Sequence, residues 1–182
     1  MQPLIKFARS PSVAWANGSG RTTELVSWVR SRDLSGEAIP PWRLSIAELT
    51  GPAPFSALPG VRRHFLPIGG SVRLTVNGAA RPVGDATVTQ FTGDDEVELV
   101  ELVDGPCHAV NLMVRAGSAD SARRDLGPAL IVGTSDRGGG PGCWAAVSLG
   151  RADGIDRFDV IDPSRLIDTL VPLPVALIGP PG

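Results

Sequence analysis

Three arginines stand at positions from which they could hold an acidic ligand. Polar and apolar residues alternate along the runs 42–49 and 107–115, which contain Arg43 and Arg115, and Arg63 follows a Pro59-Gly60 turn. Such alternation places a side chain on one chosen face of a β-strand. A guanidinium group presents a planar fork of N–H donors that matches a carboxylate. If these faces line one cavity, opposed arginines predict binding of a small dicarboxylic acid; the alternative is that the polar faces meet solvent.

Neutral side chains accompany two of the arginines on the same predicted faces. Ser45 shares the face of Arg43, whereas Asn111 and Met113 share the face of Arg115. The opposite faces of both runs are apolar, as expected of strands that cover a core. The sequence therefore predicts two strands that each present an arginine with hydrogen-bonding neighbours.

The chain offers few ligands for a metal ion and no recognisable cofactor motif. Its two histidines, His64 and His108, lie far apart in sequence, and neither has a second histidine at metal-binding spacing. A site formed by both histidines and a carboxylate stays open, although an isolated histidine in a strand is more often structural. Phosphate-binding, dinucleotide-binding and nucleophile-elbow motifs are missing from the sequence. We therefore expect a metal-free site without a cofactor.

Four aspartates recur at every third position, at 153, 156, 159 and 162. The residues between them lack the glycines that a calcium-binding loop requires. We expect these aspartates to lie on a solvated strand and its turns. The triplet Asp162-Pro163-Ser164 predicts a turn or the start of a short helix.

Charge and composition exclude several classes of protein. The 182 residues carry 17 Lys and Arg against 19 Asp and Glu, a net charge of −2, which argues against a nucleic-acid partner. No apolar segment has the length of a membrane span or the form of a signal peptide, so we expect a cytoplasmic protein with no membrane partner. Cys107 and Cys143 are too few for a disulfide framework and are expected to be reduced core residues.

Period-two runs separated by Gly, Pro, Asn and Asp predict roughly ten or more short strands and an all-β sandwich or barrel. The run 72–76 alternates up to Asn77-Gly78, which is the strongest hairpin signal in the chain. Between Leu99 and Val100 the alternation slips. This slip predicts a bulge or a strand that is covered on both faces.

The pattern changes towards the C-terminus. Residues 118–125 form the one plausible helix, and the glycine-rich loop 136–142 is the natural seam between an N-terminal part and a smaller C-terminal part. Beyond the loop, residues 144–149, 158–161 and 170–178 again have the composition of strands. Prolines in the last of these indicate a protected sheet edge.

Four motifs occur in order between the N-terminal region and the middle of the chain. Residues 15–24 match W-x-N-G-x-G-x-T-x-E, and residues 42–49 match W-R-[LF]-S-x-A-x-[IVL]. Residues 51–63 match G-P-F-S-x-[FL]-P-G-x-x-R with Ala53-Pro54 inserted, and residues 104–115 match D-G-P-x-x-x-x-N-L-M-x-R. Together these motifs resemble the HutD/Ves family.

The resemblance implies an all-β bicupin, in which one chain forms two linked double-stranded β-helix barrels. We expect residues 1–182 to form one compact unit, with a first barrel over 40–115 and a second made of 1–39 and 116–182. The metal-binding cupin signature G-x5-H-x-H-x3,4-E is missing from the sequence. The resemblance also implies a link to histidine utilisation through binding of a small acidic metabolite such as formylglutamate.

The motifs and the strand faces together define a predicted ligand site. In it, the arginines pair with carboxylates, Asn17, Ser45 and Asn111 donate or accept hydrogen bonds, and Trp15 and Met113 form apolar wall. Glu24 orients an arginine or accepts an amide N–H; alternatively, it forms an internal ion pair with Arg43. The full predicted set is Trp15, Asn17, Glu24, Arg43, Ser45, Arg63, Asn111, Met113 and Arg115.

Two other functions stay open at the level of sequence. The first is a metal-free isomerase or hydrolase that uses Glu24 or Glu48 as general base with an arginine as electrophile. The second is a protein-interaction module that uses an exposed sheet edge. Binding without catalysis is the preferred interpretation, with a homodimer as a further prediction.

Overall fold

Short strands separated by tight turns make up most of the chain. The computed structural model describes residues 2–115, 128–135, 142–152, 154–168 and 172–180. Short 3-10 helices lie at Phe7–Arg9 and Pro163–Asp168. The other elements are β1 (Ser12–Ala14), β2 (Gly20–Val26), α1 (Arg30–Ser35), β3 (Trp42–Leu49), β4 (Ala53–Pro54), β5 (Val61–Ile68), β6 (Val72–Val76), β7 (Ala79–Val83), β8 (Thr89–Thr92), β9 (Val97–Leu102), β10 (Cys107–Arg115), β11 (Ala129–Thr134), β12 (Ala145–Ser148), β13 (Val160–Ile161) and β14 (Pro174–Gly179).

The strands pair into three antiparallel sheets. The largest has the order β1-β2-β3-β10-β5-β8, and the two smaller sheets have the orders β4-β9-β6-β7 and β11-β14-β12-β13. The two long strands that the sequence predicted, β3 and β10, lie side by side at the centre of the largest sheet. The all-β prediction is therefore confirmed.

Each face of the six-stranded sheet covers a different core. Along β3, Leu44 and Ile46 belong to a first core shared with the β11-β14-β12-β13 sheet, whereas Ala47 and Leu49 belong to a second core shared with the β4-β9-β6-β7 sheet. This division follows from the period of two along a strand. The six-stranded sheet is thus the middle layer between two smaller sheets.

The hairpin and the bulge that the sequence predicted are both confirmed. Asn77 and Gly78 have φ of 50° and 78° and join β6 to β7, as a two-residue hairpin turn with positive φ at both positions requires. On β9, Leu99 pairs with Leu74 and the next paired residue is Glu101. Val100 is therefore the extra residue of a bulge.

The prediction of a protected edge at residues 170–178 is wrong. The strand there, β14, pairs with β11 on one side and β12 on the other. Its prolines are tolerated because Pro174 is the first strand residue and Pro172 precedes the strand. Val175 and Leu177 pack into a third core on the outer face of this sheet.

The prediction that the aspartates are solvated is wrong for Asp159. Its carboxylate is completely buried. It accepts hydrogen bonds from the backbone N–H groups of Phe7 and Asp156 and pairs with Lys6 at 3.1 Å. These bonds tie the N-terminal segment to the turn before β13. Asp162 behaves as predicted, because its Oδ1 accepts the N–H of Ser164 at the start of a 3-10 helix.

Two further elements differ from the predictions. The strand predicted at 158–161 is reduced to β13, because Phe158 has a φ of 71° that interrupts extended backbone. Helix α1 was not predicted; the Ser27 hydroxyl accepts the N–H of Arg30 at its start, and Gly36, with φ of 86°, ends it. The helix predicted at 118–125 and loop residues 136–141 lie outside the described residues.

The two-barrel arrangement is not established by these sheets. The described strands form three sheets that are not closed into barrels, and β1 and β2 pair with β3 across the predicted boundary between residues 39 and 40. Of the two cysteines expected in the core, Cys107 is buried and Cys143 is only partly buried. Within that part, none of the helices combines the length and the apolar character of a membrane span.

The side chain of His64 is polar but lies buried in an apolar environment. It alternates with Arg63 and Phe65 on β5 and so lies on the same face as Leu66, which belongs to the first core. Neither ring nitrogen has a hydrogen-bond partner in the part of the chain described here. Burial, with a smaller contribution from the charge of Arg62, lowers the pKa of His64 from 6.5 to about 4.

This histidine predicts a loss of stability in acid. Between pH 6.5 and pH 4 the unfolded chain binds a proton at His64 and the folded chain does not. The free energy of unfolding therefore decreases as the pH is lowered through that window. The difference in pKa corresponds to about 3 kcal/mol. Urea unfolding at several pH values should show that wild type loses about this much more than His64→Leu. The same substitution at His108, which is less buried, is the control; parallel curves for wild type and His64→Leu would contradict the assignment.

Candidate functional site

A cavity of about 530 Å³ lies against the second core, on one face of the six-stranded sheet. Pockets of this size are typical of small-molecule sites. Most of the predicted site residues line it: Trp15, Asn17, Arg43, Ser45, Arg63, Asn111 and Met113. Side chains from three neighbouring strands and from the β1–β2 hairpin therefore converge on one space.

Strand register explains why these side chains converge. Met113 on β10 lies directly opposite Arg43 on β3 and opposite Arg63 on β5. Directly opposed residues share a face, so the two arginines flank Met113 with Cα atoms about 10 Å apart, twice the strand spacing. Two residues along, Asn111 lies opposite Ser45 in the same way.

Arg43 already has an acidic partner. Its Nε donates to Oε2 of Glu24 on β2 at 2.5 Å. Both side chains are partly exposed, at 26% for Arg43 and 37% for Glu24. Nη1 of Arg43 also lies 3.9 Å from the sulfur of Met113. Of the alternatives for Glu24, the structure shows the internal ion pair, which connects β2 to the cavity wall.

The surroundings of Arg63 differ from those of Arg43. Only 6% of the residue is exposed, and among the described residues no carboxylate pairs with it. Its guanidinium carbon lies 4.9 Å from the ring centroid of Phe55 and 5.4 Å from that of Phe91. Nη1 donates to the carbonyl of Ser56 at 3.1 Å, whereas the buried Nε has no acceptor. Burial, followed by repulsion from Arg43, lowers the pKa of Arg63 to about 10.

The segment before β5 forms one wall of the cavity through Phe55 and Ser56, which were not among the predicted site residues. Phe55 donates its N–H to the carbonyl of Val97, and Leu58 donates to Gly93. The segment is therefore held by backbone bonds while Phe55 and Ser56 contact the guanidinium of Arg63. The F-S pair within the third motif was the available signal for these two residues.

Trp15 is fixed from two directions. Its Nε1 donates to the hydroxyl of Thr22 at 2.8 Å. A Cβ added at Gly20 would lie 3.1 Å from the indole ring and would overlap the carbonyl of Glu48. Asn17 lines the mouth of the cavity and accepts the N–H of Ser19 at 3.1 Å, so its oxygen also shapes the turn.

The structure does not bring Arg115 into the cavity. Its guanidinium lies over the ring of Trp28 at 4.8 Å, at the end of β10 and exposed to solvent. The strand run was predicted correctly, but Trp28 holds the side chain of this last strand residue away from the cavity. Glu48 is likewise outside the cavity lining, because it alternates with Ala47 and Leu49 on β3.

The two histidines do not converge. His64 faces the first core, and the ring of His108 lies 5.0 Å from that of Phe158. Among the residues that the structure describes, there is no group of three or more His, Cys, Asp or Glu side chains placed to hold a metal ion. The described residues that line the cavity include no carboxylate, imidazole or thiol group.

The fold and the cavity define an all-β protein with an internal, ligand-sized space between two of its sheets. The chain belongs to the HutD family, whose model matches residues 6–129. A curated relative from Pseudomonas putida, an uncharacterized 21.2 kDa protein in the hutC 3′ region, is 32% identical over 114 residues. That match covers 60% of this chain and spans 56% of the relative's length.

Solved structures share the fold. A conserved protein of unknown function from Pseudomonas aeruginosa matches with a TM-score of 0.66 at 24% identity, over 96% of this chain and 95% of that chain. HutD from Pseudomonas fluorescens, in a formate condition, matches with a TM-score of 0.63 at 20% identity over the same shares of the two chains. Cupin domains are also among the structural neighbours, at lower TM-scores.

The cavity wall predicts a strict requirement for glycine at position 93. A Cβ there would overlap the backbone of Leu58, so Gly93→Ala must displace the segment that carries Phe55 and Ser56. We expect a loss of about 2 kcal/mol or more in chemical denaturation. Gly84→Ala is the matched control, because its nearest neighbour would be the Thr87 hydroxyl at 3.4 Å. Equal stability of the two variants would show that the segment is not held there.

Proposed function

We propose that this chain binds a small carboxylic acid derived from an amino acid, of the kind that formylglutamate represents, and that it modulates histidine utilisation as a binding protein. The observation that carries the proposal is the buried guanidinium of Arg63, which lines the cavity without a carboxylate partner among the described residues. A ligand that supplies this partner would complete the site.

The energetics of a buried charge support a carboxylate ligand. A charged group removed from water is costly unless an opposite charge or several hydrogen bonds compensate it. Arg63 has one backbone acceptor at Ser56 and two aromatic rings, and its Nε is unused. A carboxylate accepts two N–H bonds from a guanidinium at once. A neutral group forms weaker hydrogen bonds with the same donors.

The rest of the cavity suits an organic ligand with polar groups. Asn111 is 6% exposed and Ser45 is 1% exposed, and both stand beside the two arginines on the same sheet face. Trp15 and Phe65 add apolar wall. A few placed polar groups in an otherwise apolar pocket fix the orientation of a small molecule.

Binding without catalysis is favoured by the chemistry of the lining. The general base of an isomerase or hydrolase needs a free acceptor near the substrate. Glu24 is engaged by Arg43, and Glu48 does not line the cavity. These two placements support a binding protein over the enzyme that uses either glutamate as base.

The link to histidine utilisation rests on the family and on the Pseudomonas putida relative in the hutC 3′ region. We also infer that the first and second cores correspond to the two barrels of a bicupin, which would share the six-stranded sheet. Support comes from the two distinct cores on its opposite faces. The cytoplasmic location and the homodimer remain predictions from sequence.

The proposal predicts that Arg63 is essential for binding. Formylglutamate at one hundred times its dissociation constant should stabilise wild type by about 2.7 kcal/mol, or roughly 5–10 °C in thermal unfolding. Arg63→Met keeps an unbranched chain and removes the charge, so we expect at least about a tenfold loss of affinity. Arg115→Met is the matched control, because Arg115 lies outside the cavity.

Calorimetric titration of the three proteins measures these affinities. Wild type and Arg115→Met should bind alike, while circular dichroism confirms that Arg63→Met is folded. Unchanged affinity in Arg63→Met would remove this residue from the site. If neither formylglutamate nor related acids such as glutamate and urocanate bind wild type, the proposed function is wrong.

A further inference from the structure

The charges around the cavity determine how many negative groups a ligand can bring. Among the described lining residues, Arg43 and Arg63 are the ionisable ones. Glu24 is bonded to Arg43 and offsets one of these two positive charges. The described residues of the site therefore carry one uncompensated positive charge.

Both arginines contribute to this positive charge. Arg43 and Arg63 stand on either side of Met113 on the same sheet face. Glu24 occupies Nε of Arg43, so the Nη groups of that guanidinium remain directed to other partners. Ser56 occupies only Nη1 of Arg63. The remaining Nη groups of the two arginines are the donors that a ligand carboxylate would use.

We infer that the cavity accommodates a single carboxylate, bound between Arg43 and Arg63 above Met113, and that it takes the remainder of the ligand as a neutral body. This inference rests on the proposed function and ranks its ligands: acids with one carboxylate bind more tightly than diacids such as formylglutamate, which still bind through one carboxylate. It revises the expectation from sequence, in which separate arginines hold two carboxylates.

The surroundings of the two arginines support a neutral remainder. Beyond them, much of the cavity wall is aliphatic or aromatic and includes Leu58, Phe65 and Leu99. A second carboxylate among such groups would lose its hydration and gain no cation, because the two arginines and Glu24 are already balanced by the first. An amide or another neutral polar group needs only the hydrogen bonds that Asn111 and Ser45 provide.

A pair of isosteric ligands tests the inference directly. N-acetylglutamine and N-acetylglutamate have the same shape and differ in one charge, because an amide replaces the side-chain carboxylate. Calorimetric titration of wild type near pH 7.5 should show that N-acetylglutamine binds at least about fivefold more tightly. Equal affinities, or tighter binding of N-acetylglutamate, would overturn the inference.

Substitution of Glu24 should reverse the preference. Glu24→Gln raises the uncompensated charge from one to two, so N-acetylglutamate should gain about tenfold relative to N-acetylglutamine. Glu98→Gln makes the same change on an exposed side chain of β9 and should leave the wild-type preference intact. An unchanged ratio in folded Glu24→Gln would contradict the charge argument.

A double variant separates the effect of charge from the effect of losing the ion pair. Arg43→Gln combined with Glu24→Gln removes the ion pair and restores one positive charge, so the preference for N-acetylglutamine should return, with weaker overall affinity. A preference for the diacid in the double variant would count against the inference. If wild type binds neither ligand, the proposed function fails as well; if it binds the diacid more tightly, only the single-carboxylate inference fails.

Discussion

A guanidinium group that is buried without a counter-ion among the described residues is the constraint on which this site depends. Arg63 is held by a backbone carbonyl and two aromatic rings, which orient it but do not neutralise it. Cation–π contacts are worth roughly 0.5–2 kcal/mol each, less than the cost of removing an ion from water. The folded chain therefore retains an unsatisfied attraction for a negative group at one defined place.

The middle sheet makes that place possible. Because strand side chains alternate, β3, β5 and β10 each contribute one face to a closed apolar core and the other face to the cavity. Packing on the first side fixes the strand register, and the register in turn sets which residues meet on the second side. Met113 lies between two arginines for this reason, so the stability of the fold and the geometry of the site have a common origin.

The alternation of polar and apolar residues and the residue types at the turns made much of this arrangement predictable from sequence. Alternation identified β3 and β10 over their full observed lengths, and the Asn77-Gly78 pair identified the hairpin because few other residues adopt positive φ there. The faces of Arg43, Ser45, Asn111 and Met113 followed from the same alternation. Alternation predicts the face of a side chain correctly where the residue is paired with a strand on each side.

Other features depended on contacts between distant segments, which local patterns do not contain. Nothing in the order of residues showed that Trp28 would hold Arg115 outside the cavity or that Lys6 would pair with a buried Asp159. The ion pair of Arg43 with Glu24 stood as one of several alternatives, because register between β2 and β3 decides it. The interior position of β14 was likewise hidden, since prolines suggested an edge.

The central claim, that a ligand carboxylate binds the Arg63 guanidinium inside the cavity, has a direct test in the nuclear magnetic resonance of arginine Nε–H groups. With these signals assigned by single substitutions, addition of a carboxylic acid ligand should move the Arg63 signal strongly and the Arg43 signal as well, while the Arg115 signal stays in place. Saturable binding that leaves the Arg63 signal unmoved would contradict the account.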